Sequence, residues 1–90
     1  VTQVRCEALD REDLLVTRDI SAGGMFITSK TPYPADSEVG LSFRLRPGDA
    51  SISCQGKIAY SIPSLGMGIM FLDLDEQARL SIQKFVDEVN

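Results

Sequence analysis

The residues best suited to binding chemistry lie in one short segment, which reads Asp-Ile-Ser-Ala-Gly-Gly from Asp19 to Gly24. A carboxylate accepts paired hydrogen bonds from amide and amino groups such as a guanine edge presents, and a serine hydroxyl both donates and accepts. Glycines allow the backbone to approach a ligand closely. The segment therefore predicts a ligand-binding turn, with Asp19, Ser21, Gly23 and Gly24 as its site residues.

A purely structural role accounts for the same residues. In that interpretation Asp19 and Ser21 satisfy their own backbone in an Asx or Ser turn, and Gly23-Gly24 supply positive φ angles for a β-bulge. On these six residues alone the structural interpretation is the simpler one, so the decision between the two roles rests on the remainder of the chain.

The rest of the inventory argues against an enzyme. The chain has no histidine, which is the commonest general base and metal ligand. Neither Cys6 nor Cys54 has an activating partner visible in the sequence. Asp73, Asp75 and Glu76 lie where a helix is predicted to begin, a position that favours negative charge, so helix capping is a better interpretation than a metal site. We expect no catalysis and no cofactor.

Length and charge limit the class of protein. The chain has 90 residues, which suits one domain, residues 1–90, with a single core. Its net charge of −4 argues against DNA or RNA as a partner, because proteins that bind nucleic acids cluster many basic residues. The apolar runs are far shorter than a membrane span requires, and no secretory signal is visible. We therefore expect a cytoplasmic domain that does not insert into a membrane.

The start of the chain and its cysteines add two expectations. The sequence begins at Val1, without a methionine and close to its first strand, which predicts a domain excised from a longer protein. Cys6 and Cys54 each lie in an alternating apolar pattern and are predicted to be small core residues. A disulfide between them is the alternative, and a cytoplasmic location disfavours it.

Short alternating runs separated by turn residues predict an antiparallel all-β domain. Gly56 lies inside one run and predicts a bend or bulge, as the closure of a sheet requires. The outward-facing Gly68 leaves room for another backbone or a ligand. Six strands with short connections fit a small barrel, which has no exposed sheet edges. The six runs are residues 4–8, 14–18, 25–28, 39–45, 52–62 and 67–71, and the first two are joined by a polar turn at Asp10–Asp13.

The hydrophobic period changes after the sixth run. Asp73 is the predicted N-cap residue, and Glu76 follows three positions later as in a capping box. An apolar stripe at helical spacing then predicts an amphipathic C-terminal helix. This face is expected to close the barrel, and a surface for a protein partner is the alternative. The stripe consists of Ala78, Ile82, Phe85, Val86 and Val89.

The pattern Asp-x-Ser-x-x-Gly, present as Asp19, Ser21 and Gly24, resembles the second signature of PilZ domains. The run Gly-Met-Gly-Ile-Met-Phe from Gly66 to Phe71 is similar to the last strand of that family, and the acidic helix start follows it. The resemblance covers nearly the whole chain, with its elements in the order of the family. It implies a six-stranded antiparallel PilZ-like β-barrel with a C-terminal α-helix.

This resemblance also implies a ligand, the bacterial second messenger cyclic di-GMP. In the family, the Asp and Ser of the motif hydrogen-bond a guanine and the glycine fits the turn against the ligand, roles that fall here to Asp19, Ser21 and Gly24. Family members also carry an upstream Arg-x-x-x-Arg motif that grips phosphate and guanine. No arginine in this chain stands four residues from another, so we expect the motif to precede Val1.

Two functions follow from the resemblance. The first is a cyclic di-GMP sensor or effector domain of a bacterial signalling protein, whose arginines before Val1 close on the ligand. The alternative is a degenerate PilZ domain that binds no nucleotide and acts as a protein-protein interaction module, for a protein partner or other domains of the parent chain. The residues encoded just before Val1 distinguish the two.

Overall fold

The fold is seen in a computed structural model that describes residues 2–89, apart from the side chain of Arg18. Neighbouring strands are all antiparallel, and the sheet closes into a barrel in the order β1-β2-β3-β6-β5-β4. The predicted six-stranded barrel with a C-terminal helix is therefore confirmed. The elements are β1 (Thr2–Ala8), β2 (Arg11–Ile20), β3 (Gly24–Thr28), β4 (Glu38–Phe43), β5 (Ile52–Ile62), β6 (Gly66–Phe71) and helix α1 (Glu76–Val89).

Alternation along the strands decides which side chains fill the barrel. On β1, Val4 and Cys6 are buried while Arg5 and Glu7 are exposed. Burial of an aliphatic side chain of this kind stabilises the fold by roughly 1.5–3 kcal/mol. Both cysteines are free and buried, as their apolar pattern predicts. The largest fully buried side chains include Ile27, Ile58, Met67, Ile82, Val4 and Val39.

The antiparallel order gives the barrel two rims. The tyrosine rim, named for Tyr33, carries the β1–β2 turn, the β3–β4 loop and the β5–β6 turn. The helix rim carries the start of β1, the β2–β3 turn, the β4–β5 loop and α1. The segment Asp19–Gly24 ends β2 and begins β3, so it lies at the helix rim.

Tyr33 closes the tyrosine rim with a side chain that is 2% exposed. Its hydroxyl lies 2.9 Å from Asp13 Oδ2 and 3.1 Å from the carbonyl oxygen of Cys6, both of which are acceptors. Arg11 Nε donates to the same Asp13 oxygen at 2.8 Å, and its guanidinium carbon lies 4.0 Å from the Tyr33 ring centroid. Burial and the bond to Asp13 raise the pKa of Tyr33 above its ordinary value. The β3–β4 loop is thereby fastened to the β1–β2 hairpin.

Helix α1 closes the helix rim. Ile82 is fully buried, and Phe85 and Val86 pack against the core cluster. This part of the apolar stripe therefore faces the barrel, as expected, whereas Val89 at its end is 60% exposed and does not. Among residues 2–89, no helix is long and apolar enough to cross a membrane.

The N-cap of α1 differs from the prediction. The Ala78 N–H donates to Asp75 Oδ1 at 2.7 Å, so Asp75 is the capping residue and the assignment of Asp73 was wrong. Asp73 instead accepts a hydrogen bond from the Gln55 N–H at 2.6 Å. Asp73 and Asp75 both precede the helix. Closure of the barrel brings β5 next to Asp73, so Asp75 caps the helix.

Gly56 does not form the predicted bulge. It pairs in regular register with both neighbouring strands, and the irregularity in β5 lies between Ile58 and Tyr60. A side-chain carbon at Gly56 would lie 2.7 Å from Ile69 Cγ2 and 2.9 Å from Leu41 Cδ1. Glycine is required there by the crowded barrel interior rather than by a bend of the strand.

The first turn is also shorter than predicted. It consists of Leu9 and Asp10, because β2 already begins at Arg11, which pairs with Ala8. The polar run predicted as a turn contains Asp13, whose side chain binds Tyr33. Its polarity reflects the network at the tyrosine rim rather than a reversal of the chain.

Candidate ligand-binding site

The β2–β3 turn is held by its own serine. The Ser21 N–H donates to the Gly24 carbonyl oxygen at 2.8 Å, which closes the reversal. The Gly23 N–H donates to Ser21 Oγ at 3.3 Å, and Ser21 Oγ in turn lies 3.4 Å from the Gly24 carbonyl oxygen. This is the serine turn of the structural interpretation. Ser21 nevertheless remains exposed, so its hydroxyl is accessible from outside the barrel.

Asp19 is positioned by a bulge that sequence reasoning did not identify. The pairing of β2 with β3 shifts register between Thr17 and Asp19, opposite Ile27 and Phe26. Thr17 is 1% exposed, and its hydroxyl donates to the Phe26 carbonyl oxygen at 2.6 Å while accepting from the Asp19 N–H at 3.3 Å. The buried hydroxyl satisfies backbone groups that the bulge frees from the ladder. Asp19 is left exposed at the end of β2.

The two glycines of the turn have different roles. A side chain at Gly24 would overlap the Ile69 carbonyl oxygen on β6, so this position requires glycine. At Gly23 the nearest atom to an added carbon is Ser21 Oγ at 3.9 Å, and the carbonyl oxygen of Gly23 accepts from the Phe71 N–H at 3.0 Å. In the described chain, neither glycine has a positive φ angle. The prediction of positive φ was therefore wrong, and close packing explains Gly24.

The turn borders a shallow pocket of about 250 Å3 on the outside of the barrel. Asp19, Ser21 and Gly24 line one side of it. Tyr60 and Met70 line the other side, and their side chains are half exposed, at 50% and 49%. The structure thus brings three of the four predicted site residues to one cavity, with Gly23 in the same turn.

Tyr60 was not identified from the sequence as a site residue. Its ring lies directly over Gly68, where a side chain on β6 would overlap the ring atoms. The space that Gly68 was predicted to leave for a backbone or ligand is therefore filled by Tyr60. Its ring centroid is 6.2 Å from that of Phe26, with 29° between the planes. Gly68 was the feature of the sequence that could have indicated a ring at this position. The bulge in β5 that aligns Tyr60 with Gly68 has no marker in the sequence.

The pocket is short of positive charge. Among the residues that the structure describes, none that lines it is a lysine or arginine. Arg5 pairs with Glu12, with 3.5 Å between Nη1 and Oε1, and Arg11 is engaged at the tyrosine rim. The side chain of Arg18 lies outside the described residues. Within the described part of the chain, the Asp19 carboxylate has no hydrogen-bond or ion-pair partner, so its oxygens are available as acceptors.

A larger groove of about 520 Å3 lies between α1 and the β4–β5 loop. Its lining mixes Arg46 and Lys84 with Asp75 and Glu88, and Arg46 Nη2 already lies 2.9 Å from Glu88 Oε2. This groove contains none of the residues of the β2–β3 turn. Size alone therefore does not identify the site. The smaller pocket is the better candidate because the Asp19 carboxylate that lines it is exposed and has no partner among the described residues.

Comparison with known proteins identifies the family of this chain. The profile of the PilZ domain matches residues 2–88, and the chain therefore belongs to the PilZ domain family. PilZ domains are binding and effector domains. Curated protein sequences contain no match to the chain.

A solved structure supports the same fold. The chain is similar to the Bacillus subtilis inhibitor of motility MotI/DgrA, with a TM-score of 0.84 and 14% sequence identity. The similarity covers 99% of this chain and 46% of the other, so the chain spans about half the length of that protein. At this identity the likeness establishes the architecture of the barrel and leaves the ligand to be argued from the site.

Proposed function

We propose that this PilZ domain binds cyclic di-GMP and acts as a sensor or effector domain in a bacterial signalling protein. Asp19, Ser21, Gly23 and Gly24 form the guanine-binding half of the site in this proposal. The observation that carries it is the exposed Asp19 carboxylate, which has no partner among the described residues and lies next to a serine turn and a partly apolar pocket, in a chain of the PilZ family.

The chemistry of the turn suits a guanine. The adjacent N1–H and N2–H groups of the base are donors, and an ionised carboxylate offers two acceptor oxygens to such a pair. Ser21 Oγ adds a hydroxyl from the same turn. Tyr60 and Met70 provide an apolar wall against which a planar base can pack. The site therefore combines directional acceptors with an apolar surface, as nucleotide recognition requires.

The phosphates of the ligand need positive charge from elsewhere. Cyclic di-GMP carries two negative charges, which the Asp19 carboxylate repels. Thr2 lies opposite Thr17 in the register of β1 and β2, two residues from Asp19. A segment joined to the amino end of β1 would therefore approach the helix rim beside Asp19. We place the arginine half of the site on such a segment, before Val1.

A second function remains as the alternative, and the lack of cations at the described pocket favours it. In this alternative the domain is degenerate, binds no nucleotide and serves as a protein-protein interaction module. The two functions differ in one measurable property, which is affinity for cyclic di-GMP.

Titration calorimetry of the full-length protein, with any residues encoded before Val1, tests the proposal. Asp19→Ala is expected to weaken cyclic di-GMP binding by at least about tenfold, equivalent to about 1.4 kcal/mol. Asp49→Ala is the matched control, because it removes an exposed carboxylate at the same rim that does not line the pocket. Equal affinity of Asp19→Ala and the parent would remove Asp19 from the site. Absence of binding by the parent would favour the interaction module.

A further inference from the structure

A third surface groove lies on the outer face of β1 and β4, extending past the end of β4. Its volume is about 490 Å3, and its lining includes Arg5, Leu14, Ser42, Arg44 and Arg46. Arg5 pairs directly across the sheet with Ser42. Arg44 lies two residues after Ser42 and continues the same outer face. Arg46 follows within a bend of the chain, and its guanidinium carbon lies 4.9 Å from the ring centroid of Phe85 on α1. We call this surface the arginine groove.

The arginine groove is separate from the candidate ligand site. In the closed order of strands, β4 and β1 are neighbours on the side of the barrel opposite β3 and β6. The candidate site is formed on β3 and β6 together with the end of β2. No residue lines both cavities. A partner in the groove would therefore leave the β2–β3 turn accessible.

The charge of the groove is opposite to that of the whole chain. The chain has a net charge of −4, yet none of the described residues that line the groove is acidic. Arg5 and Arg46 do have carboxylate partners at its edges, in Glu12 at 3.5 Å and Glu88 at 2.9 Å. These ion pairs are exposed and therefore weak, so a second carboxylate can compete for either arginine. Arg44 has no ion pair within the described part of the chain.

The arrangement of the arginines indicates the shape of the partner. Arg5 lies on β1, Arg44 just past the end of β4, and Arg46 against Phe85 of α1, so the three arginines lie at separate places along the groove. Separate arginines fit an extended polyanion better than a single phosphate. Leu14 borders the groove with a side chain that is 64% exposed, which adds an apolar contact. Three arginines are fewer basic residues than the clusters with which proteins bind nucleic acids.

We propose that the arginine groove docks an extended acidic segment of a partner protein, with carboxylates on its arginines and an apolar side chain on Leu14. Arginine next to exposed leucine suits a protein interface, where arginine is enriched and binds carboxylates through two parallel hydrogen bonds. A second copy of this chain is a poorer occupant. Its acidic surface would meet the groove through a head-to-tail contact, which requires a ring or an open filament instead of the common symmetric dimer.

Nuclear magnetic resonance titration of the full-length protein tests this docking site. The probe is a short synthetic peptide that repeats Asp-Glu-Leu, and the reference is a neutral peptide that repeats Asn-Gln-Leu. The acidic peptide is expected to shift the amide signals of β1 and the end of β4, and the neutral peptide is not. Raising the salt concentration is expected to weaken the binding, because the contacts are between exposed charges.

Matched charge reversals identify the residues responsible. The combined Arg5→Glu, Arg44→Glu and Arg46→Glu variant is expected to bind the acidic peptide at least about tenfold more weakly. The control combines Lys30→Glu, Lys57→Glu and Lys84→Glu, which changes the net charge equally outside the groove and is expected to retain more of the binding. Arg44→Gln alone is expected to weaken binding about threefold. This single variant disturbs no ion pair of the described residues, so it tests the groove even if the triple variant does not fold.

Three results would overturn the proposal. If both triple variants lose affinity for the acidic peptide equally, binding depends on net charge and not on the groove. Unchanged binding by Arg44→Gln and the arginine variant would place the contact elsewhere. Stronger shifts of the same amides with inorganic phosphate, duplex DNA or anionic lipid vesicles would assign the groove to a different anion.

Discussion

Two aspartates of β2 have opposite environments at the two rims of the barrel. Asp13, at the tyrosine rim, accepts hydrogen bonds from Arg11 and Tyr33. Asp19, at the helix rim, is exposed, and its carboxylate has no hydrogen-bond or ion-pair partner among the described residues. The same type of side chain therefore stabilises one end of the strand and is available for binding at the other. The difference teaches that a polar residue becomes a candidate for binding when the fold leaves it exposed and without a protein partner.

Alanine substitutions at the two glycines of the turn are expected to show the largest difference in stability. Gly24→Ala is expected to lower the free energy of unfolding by on the order of 3 kcal/mol, because its new carbon would overlap the Ile69 carbonyl oxygen. Gly23→Ala is expected to stay within about 0.5 kcal/mol of the parent, since its surroundings are open. Urea denaturation measures both, and equal effects would show that the turn is packed differently.

The second test compares the two tyrosines. Tyr33→Phe is expected to lower the free energy of unfolding by about 2 kcal/mol, because it removes the buried donor to Asp13 and to the Cys6 carbonyl oxygen. Tyr60→Phe is expected to change stability by less than about 0.5 kcal/mol, since the ring over Gly68 is retained. Thermal unfolding followed by circular dichroism measures the difference. A small effect of Tyr33→Phe would mean that water replaces the lost hydroxyl.

The aspartates themselves give a third and smaller contrast. Asp13→Asn is expected to cost about 1–2 kcal/mol of stability, because it weakens a charge-assisted bond to Arg11 and the bond from Tyr33. Asp19→Asn is expected to leave stability within about 0.5 kcal/mol while weakening cyclic di-GMP binding. Denaturation and calorimetry on the same samples separate the two effects. Comparable losses of stability would contradict the functional interpretation of Asp19.

The buried cysteines of the barrel interior give a prediction about pH instead of a single substitution. Burial raises the pKa of Cys6 and of Cys54 from 9.0 to about 11. Between about pH 9 and pH 11 the unfolded chain loses thiol protons that the folded chain keeps, so stability falls as the pH rises. The raised pKa of Tyr33 acts in the same direction. Below pH 9 this contribution is constant.

Denaturation at several pH values tests the cysteine effect. The parent is expected to lose stability progressively through this range, and Cys54→Ala is expected to show a shallower loss. An unchanged slope in that variant would exclude Cys54 as a source of the pH dependence.

The periodic features of the fold could be predicted from the sequence. Strand β5 was predicted with its observed bounds, and the alternation of buried and exposed residues predicted the barrel. The stripe containing Ile82 predicted the face of α1 that packs on the core. These features depend on neighbours along the chain, so a single sequence contains the information for them.

Features that depend on barrel closure were missed or misplaced. Asp13 was predicted to lie in a turn because its partner Tyr33 is remote in sequence. Asp73 was assigned as the helix cap because its contact with Gln55 exists only in the closed sheet. The site was predicted in part for the same reason: the turn from Asp19 to Gly24 is local, whereas Tyr60 reaches it through the pairing of β5 with β6.

The hydrogen bond from the Phe71 N–H to the Gly23 carbonyl oxygen offers a spectroscopic probe of the turn. Amide protons in such bonds exchange with solvent when the local structure opens. The deuterium exchange rate at Phe71 therefore measures how often the β2–β3 turn separates from β6. A ligand that holds the turn in place will slow this one amide before any global change is visible, which makes Phe71 a reporter of occupancy that needs no label on the ligand.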